Sequence, residues 1–64
     1  PRARLLRMLA EPASTTVLAA RLGVTASAVN QHLQVMRAAG LLRAERAGRQ
    51  VLYARTELGE RLAG

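Results

Sequence analysis

One stretch, TASAVNQHLQVMRAAG at residues 25–40, constrains the fold of this chain more than any other. Thr25 is a favourable N-cap and Gly40 is a favourable residue just beyond a helix end, so the pattern predicts a helix over 26–39. Its apolar residues recur at helical spacing and do not alternate as in a strand. The chain is therefore expected to build its core against a central amphipathic helix.

The two faces of this predicted helix have different chemistry. At about 100° per residue, Val29, Leu33 and Met36 lie within about 60° of one another and form an apolar stripe. The opposite arc is continuous and polar, and it carries a hydroxyl, three carboxamides and a guanidinium: Ser27, Asn30, Gln31, Gln34 and Arg37. We expect the stripe to be buried and the polar arc to face solvent or a partner.

A shorter helix is predicted just before it, over 17–22, with Leu18 and Leu22 on one face. Gly23 is expected to end this helix in the left-handed conformation, and Val24 is expected to point inward. The two helices are separated by a three-residue turn that contains a glycine, which is helix-turn-helix spacing. The candidate caps of the shorter helix are Ser14, Thr15 and Thr16.

The first ten residues predict another helix, Arg2 to Ala10, with an inward stripe of Leu5, Leu6 and Leu9. It is expected to end at Glu11, because the residue before a proline avoids the helical conformation. A possible single strand residue is placed near Thr15.

The spacing of the apolar residues no longer follows a helical period after Gly40. Residues 41–46 and 50–55 are strand-length runs joined by a glycine-containing turn at 47–49, which predicts a β-hairpin. Thr56 is expected to cap a last helix, Glu57 to Leu62, with Leu58 and Leu62 inward. The predicted fold class is mainly α with a small β-hairpin: a winged helix-turn-helix with a three-helix core, a two-stranded wing and a C-terminal helix.

The charge of the chain indicates an acidic partner. Its 64 residues suit one small domain, and ten basic residues against four acidic ones give a net charge of +6. All ten are arginines, which suit bidentate contacts to phosphate and guanine. A GC-rich coding bias is the alternative explanation for Arg in place of Lys, but it accounts less well for the excess of base over acid. We therefore expect a polyanion partner.

The helix-to-wing stretch resembles the ArsR-type winged-helix transcription regulators. The matching residues form a Val-x-x-His-Leu motif in the helix, an Arg-x-x-Gly-Leu motif at its end, and a Gly-Arg pair in the wing followed by a Tyr. They are Val29, His32, Leu33, Arg37, Gly40, Leu41, Gly48, Arg49 and Tyr53. Met36 replaces the usual Leu and Asn30 replaces the usual Ser. The resemblance implies a cytoplasmic, bacterial, homodimeric repressor that binds double-stranded DNA, often under the control of an effector.

In this reading the central helix occupies the major groove, where amides pair with adenine and Arg with guanine. The expected base-reading residues are Ser27, Asn30, Gln31, Gln34 and Arg37. The expected contacts to the DNA backbone, from the wing at 41–55 and from helix ends, are Thr16, Thr25, His32, Arg46 and Arg49. Solvated polar faces, helix capping and a charged hairpin edge are the alternative roles for these residues. Tyr53 is expected to pack its ring on the wing and the core and to leave its hydroxyl in water.

No metal, cofactor or catalytic set is expected. The chain has no cysteine and a single histidine, His32, so a structural or phosphate-touching role is favoured over a metal ligand. There is no nucleophile–base pair and no phosphate-cradling glycine loop, so an enzyme is not expected. No apolar run approaches the roughly 20 residues that cross a bilayer.

Two other functions remain open at this point. A winged helix can serve as a protein-interaction module without sequence-specific DNA binding, because fold does not fix function. A non-specific nucleic-acid module is the other, although one aromatic residue is few for stacking bases. We interpret 1–64 as one winged-helix DNA-binding domain excised from a longer chain, since no Met precedes Pro1. A dimer surface in that longer protein would draw on Leu5, Leu6, Leu58 and Leu62.

Overall fold

The computed structural model describes residues 2–64, so Pro1 lies outside it. The elements in chain order are α1 (Arg2–Met8), α2 (Thr15–Leu22), α3 (Ala26–Ala38), β1 (Leu42–Ala47), β2 (Gln50–Arg55) and α4 (Glu57–Ala63). The two strands form one antiparallel hairpin. This order and hairpin confirm the predicted winged helix-turn-helix fold.

The helix-turn-helix is set by local caps. Ser14 Oγ accepts a hydrogen bond from the Val17 N–H at 3.2 Å, so α2 begins two residues earlier than predicted. Gly23 ends α2 with a φ of 70°, and the next N–H bonds to the Ala19 carbonyl at 3.1 Å. This pattern is a Schellman motif, which satisfies free carbonyls at the helix end.

Val24 corrects one expectation. It follows the left-handed turn, and 49% of it remains exposed instead of pointing into the core. The turn places it at the rim of an apolar groove that it shares with Leu22 and His32. Thr25, the next residue, behaves as predicted, since its Oγ1 accepts from the Ala28 N–H at 3.1 Å and caps α3.

The core contains the predicted apolar stripes. Leu5 lies in α1 and Leu9 in the segment that follows it. Both pack with Leu18 of α2 in the centre of the domain. The α3 stripe completes it, with Val29, Leu33 and Met36 each at most 2% exposed. Since these residues occupy one side of α3, its polar arc is left on the outside.

The wing is a β-hairpin with a two-residue loop, and its second strand is hydrogen-bonded to the segment before α2. Ala47 pairs with Gln50, so Gly48 and Arg49 form the loop, one residue shorter than predicted. Gly48 has a φ of 62°, which a glycine adopts without steric cost. The isolated strand residue predicted near Thr15 is Ala13, which exchanges two backbone hydrogen bonds with Tyr53 of β2, at 3.1 and 2.8 Å.

Helix α4 begins at the predicted cap but turns a different face inward. Thr56 Oγ1 accepts from the Gly59 N–H at 3.1 Å and donates to the Gly40 carbonyl at 2.6 Å. The buried residue of α4 is Gly59, whereas Leu58 and Leu62 are 44% and 63% exposed. These two leucines lie together on one side of the helix, about 60–100° round from Gly59, and their exposure shows that this side is not covered by the core. The prediction that they point inward is therefore wrong.

Within residues 2–64, no helix is both long enough and apolar enough to cross a membrane.

Candidate nucleic-acid interface

The outer face of α3 is a continuous polar surface. All five predicted base-reading residues are exposed, on the side opposite the buried stripe: Ser27, Asn30, Gln31, Gln34 and Arg37. No acidic residue occurs in α3, so nothing on the helix itself repels a phosphate backbone. This surface, which we call the α3 polar face, can offer hydrogen-bond donors and acceptors to a partner.

Two side chains of this face are joined to the wing. Gln34 Nε2 donates to Asn30 Oδ1 at 3.1 Å and to the Tyr53 hydroxyl oxygen at 2.9 Å. Tyr53 is only 6% exposed, and its hydroxyl is hydrogen-bonded to Gln34. The expectation that this hydroxyl points into water is therefore wrong. The sequence signals the Asn30–Gln34 contact through its i, i+4 spacing. It carries no signal for the contact with Tyr53, which is 19 residues away along the chain.

The wing tip carries free positive charge. Arg46 and Arg49 are both exposed, and neither takes part in the three ion pairs found within residues 2–64. The neighbouring Arg43 is different, because its Nε lies 2.7 Å from a carboxylate oxygen of Glu45. The unpaired guanidiniums of the wing are therefore those of Arg46, near the end of β1, and Arg49, in the turn, where they can meet an external anion.

A groove of about 450 Å³ connects the wing to the start of α2. Thr16 lies on its α2 side, and Arg49 lies on its wing side. Both belong to the predicted backbone-contacting set, and the fold brings them together although they are 33 positions apart in the sequence. A hydroxyl beside the N-terminus of α2 and a guanidinium across the groove suit a negatively charged ligand.

Thr25 and His32 are not part of that groove. Thr25 is exposed at the beginning of α3, and its hydroxyl is used as a cap. His32 is half-buried in an apolar groove on the side of α1 and α2, about 160° round α3 from Asn30. Contact between DNA and His32 remains an untested prediction that this placement does not favour.

Arg55, which the sequence did not single out, connects three elements of the fold. The side chain of Arg55 is 16% exposed, and its guanidinium lies 3.5 Å from the Leu6 carbonyl and 3.6 Å from a Glu60 carboxylate oxygen. It therefore links β2 to α1 and α4. Its burial depends on contacts between distant segments, which no local pattern in the sequence reveals.

Among residues 2–64 there is no group of three or more His, Cys, Asp or Glu side chains placed to hold a metal ion.

A family model described as a helix-turn-helix domain matches residues 2–45, more than half of the chain. No curated protein matches the chain closely enough to count as a relative.

Solved structures match along almost the whole chain. A single-residue mutant of Lactococcus lactis ZitR has a TM-score of 0.92 at 27% identity, covering 97% of this chain and 45% of that one. A cysteine-to-serine mutant of the same protein in complex with DNA has a TM-score of 0.90 at 26% identity, with the same coverage. RV1404 from Mycobacterium tuberculosis has a TM-score of 0.90 at 28% identity, covering 97% of this chain and 46% of that one.

This chain thus spans about half the length of the solved proteins that it resembles. The family match covers the three core helices and the first four residues of β1, and the structural matches cover 97% of the chain. The chain belongs to the helix-turn-helix domain family and is a winged helix of the ArsR type found in transcription regulators.

Proposed function

We propose that this chain is the sequence-specific, double-stranded DNA-binding domain of a repressor that works in the bacterial cytoplasm. The observation that carries the proposal is the α3 polar face, which is exposed and free of acid, in a domain whose wing carries the unpaired Arg46 and Arg49. An α-helix fits the major groove, where each base pair presents a distinct set of donors and acceptors. The similarity to a ZitR structure in complex with DNA supports the same partner.

Base reading is assigned to the α3 polar face. Ser27, near the start of α3, and Arg37, near its end, mark the length of helix that would follow the groove. Asn30, Gln31 and Gln34 lie between them and supply the carboxamides. Such side chains distinguish bases because their donors and acceptors must match the groove edge.

Backbone binding is assigned to the helix ends and the wing. Thr16, Thr25, His32, Arg46 and Arg49 form this proposed set, in which the groove between Thr16 and Arg49 is the best-formed part and His32, on the α1 and α2 side, is the least supported member. Arg–phosphate contacts release counterions, so the affinity for any duplex should fall steeply with salt. The proposal assigns no role to a metal or cofactor.

A homodimer is proposed for the full-length protein. An apolar groove of about 300 Å³ opens between α1, α3 and α4, and Leu6 and Leu41 form part of its lining. Val35 and Leu62 also line it and are 47% and 63% exposed, which leaves apolar surface free for a partner. Two copies would place two α3 helices on a palindromic site.

The first experiment is a selection from random duplex DNA at about 150 mM salt, close to physiological ionic strength. A recurring motif supports the proposed function, and a palindromic motif supports the dimer. Retention without a motif, or no retention, contradicts it. That outcome would favour a protein-interaction module, for which the exposed apolar groove is the supporting observation.

A further inference from the structure

The most unexpected contact on the α3 polar face reaches into the interior. Gln34 lies on the exposed face, yet its side chain ends against the hydroxyl of a residue that is 6% exposed, Tyr53. We infer that Tyr53 is a positioning residue for base reading, which through Gln34 fixes the carboxamide of Asn30 so that Asn30 presents its N–H donors outward. This inference rests on the proposed function and deepens it.

Tyr53 is a rigid support for such a role. Its N–H and carbonyl both bond to Ala13, at 2.8 and 3.1 Å, and it pairs with Ala44 in the hairpin. Its ring belongs to the core cluster. The hydroxyl is therefore held in a defined place relative to α3.

The directions of the two hydrogen bonds set the polarity of both amides in this structure. The Gln34 amide has two N–H hydrogens, and one is directed to Asn30 Oδ1 and the other to the Tyr53 hydroxyl oxygen. Gln34 keeps its Oε1 as a free acceptor. One lone pair of the Asn30 oxygen is engaged by Gln34, and the oxygen is drawn toward that residue, so Asn30 offers a partner chiefly its Nδ2 donor pair.

This polarity has a consequence for the base that is read. A donor pair prefers a groove edge rich in acceptors, such as O6 and N7 of guanine. The bidentate pairing of Asn with adenine requires both its oxygen and its nitrogen. With the oxygen held by Gln34, the preference of Asn30 shifts toward acceptors, and Tyr53 maintains this preference without touching DNA.

The test compares motifs selected from random duplex DNA by the whole protein and its variants. Asn30→Ala first identifies the base position that depends on Asn30. Tyr53→Phe keeps the buried ring and removes the hydroxyl, and it should weaken the preference at that same position by about twofold to tenfold. Affinity for random duplex and its salt dependence should not change. Thermal unfolding shows whether the Phe variant is folded.

Gln34→Ala cuts the same link from the exposed side without touching the core, so it tests the inference even if the Tyr53 variant does not fold. It should weaken the preference at the Asn30 position in addition to the position that Gln34 itself reads, and only the first of these losses tests the inference. Gln34→Glu reverses the polarity, because a carboxylate only accepts and Asn30 must turn its N–H groups toward it. The base selected there should then change from one that presents an acceptor to one that presents a donor.

The outcomes separate the inference from the proposed function. An unchanged preference at the Asn30 position in Tyr53→Phe and Gln34→Ala overturns the inference and leaves the proposed function intact. An equal loss at every base of the motif also overturns it, because that is the effect of general loosening. If the unaltered protein selects no motif, the proposed function fails and the inference fails with it.

Discussion

The backbone of Gly59 in α4 lies directly against the carbonyl oxygen of Leu41, where the chain leaves α3 and enters the wing. A Cβ at Gly59 would overlap that oxygen, and the oxygen also accepts from the Thr56 N–H at 3.0 Å. The contact fixes which face of α4 is buried. It also explains why Leu58 and Leu62, which lie together on one side of that face, stay exposed.

Gly59→Ala should therefore destabilise the domain. Alanine is favoured over glycine in a helix by about 1 kcal/mol, but a clash with backbone outweighs this gain. We expect a net loss of about 1–3 kcal/mol in the free energy of unfolding, measured by urea denaturation. Arg61→Ala, on the exposed side of α4, is the control and should change stability by less than about 0.5 kcal/mol. A more stable Gly59→Ala protein would show that α4 can move away from Leu41.

The N-cap of α3 gives a second prediction. Thr25→Ala removes the oxygen that accepts from the Ala28 N–H, and it should cost about 1 kcal/mol of unfolding free energy. Thr25→Ser keeps that oxygen and should restore most of the loss. If the Thr25→Ala and Thr25→Ser proteins unfold at the same urea concentration, the cap contributes nothing to stability.

Base reading gives a third prediction. Asn30→Ala and Gln31→Ala should each weaken binding to the selected DNA motif by about 1–3 kcal/mol, because a direct contact to a base edge is lost. Binding to random duplex should change little, since phosphate contacts are retained. Titrations against both DNAs by fluorescence anisotropy measure the difference. Equal losses on the two DNAs would contradict a base-reading role.

The wing gives a fourth prediction. Arg49→Ala should weaken binding to the motif and to random duplex about equally, and it should reduce the slope of log affinity against log salt by about one. Arg61→Ala removes the same charge from α4, where Arg61 is paired with Glu57 at 3.0 Å, and it is the matched control. The slope of the control should not change. An unaltered slope for Arg49→Ala would refute phosphate contact at the wing tip.

Much of the candidate site could be predicted because its signals are local. The spacing of Val29, Leu33 and Met36 defines the buried side of α3, and the polar arc then lies outside by geometry. Where the prediction failed, the decisive contact joined distant segments. The hydroxyl of Tyr53 meets Gln34 because the Ala13 bridge and the hairpin bring β2 beside α3.

The amino-acid sequence by itself determined the order of helices and strands, the caps at Thr25 and Thr56, and the turn at Gly23. These features depend on hydrogen bonds and dihedral preferences within a few residues, so they can be read along the chain. The tertiary structure alone decided that Gly59 faces the core and that Tyr53 holds Gln34. Both depend on how closely separate elements approach, which packing of the whole domain sets.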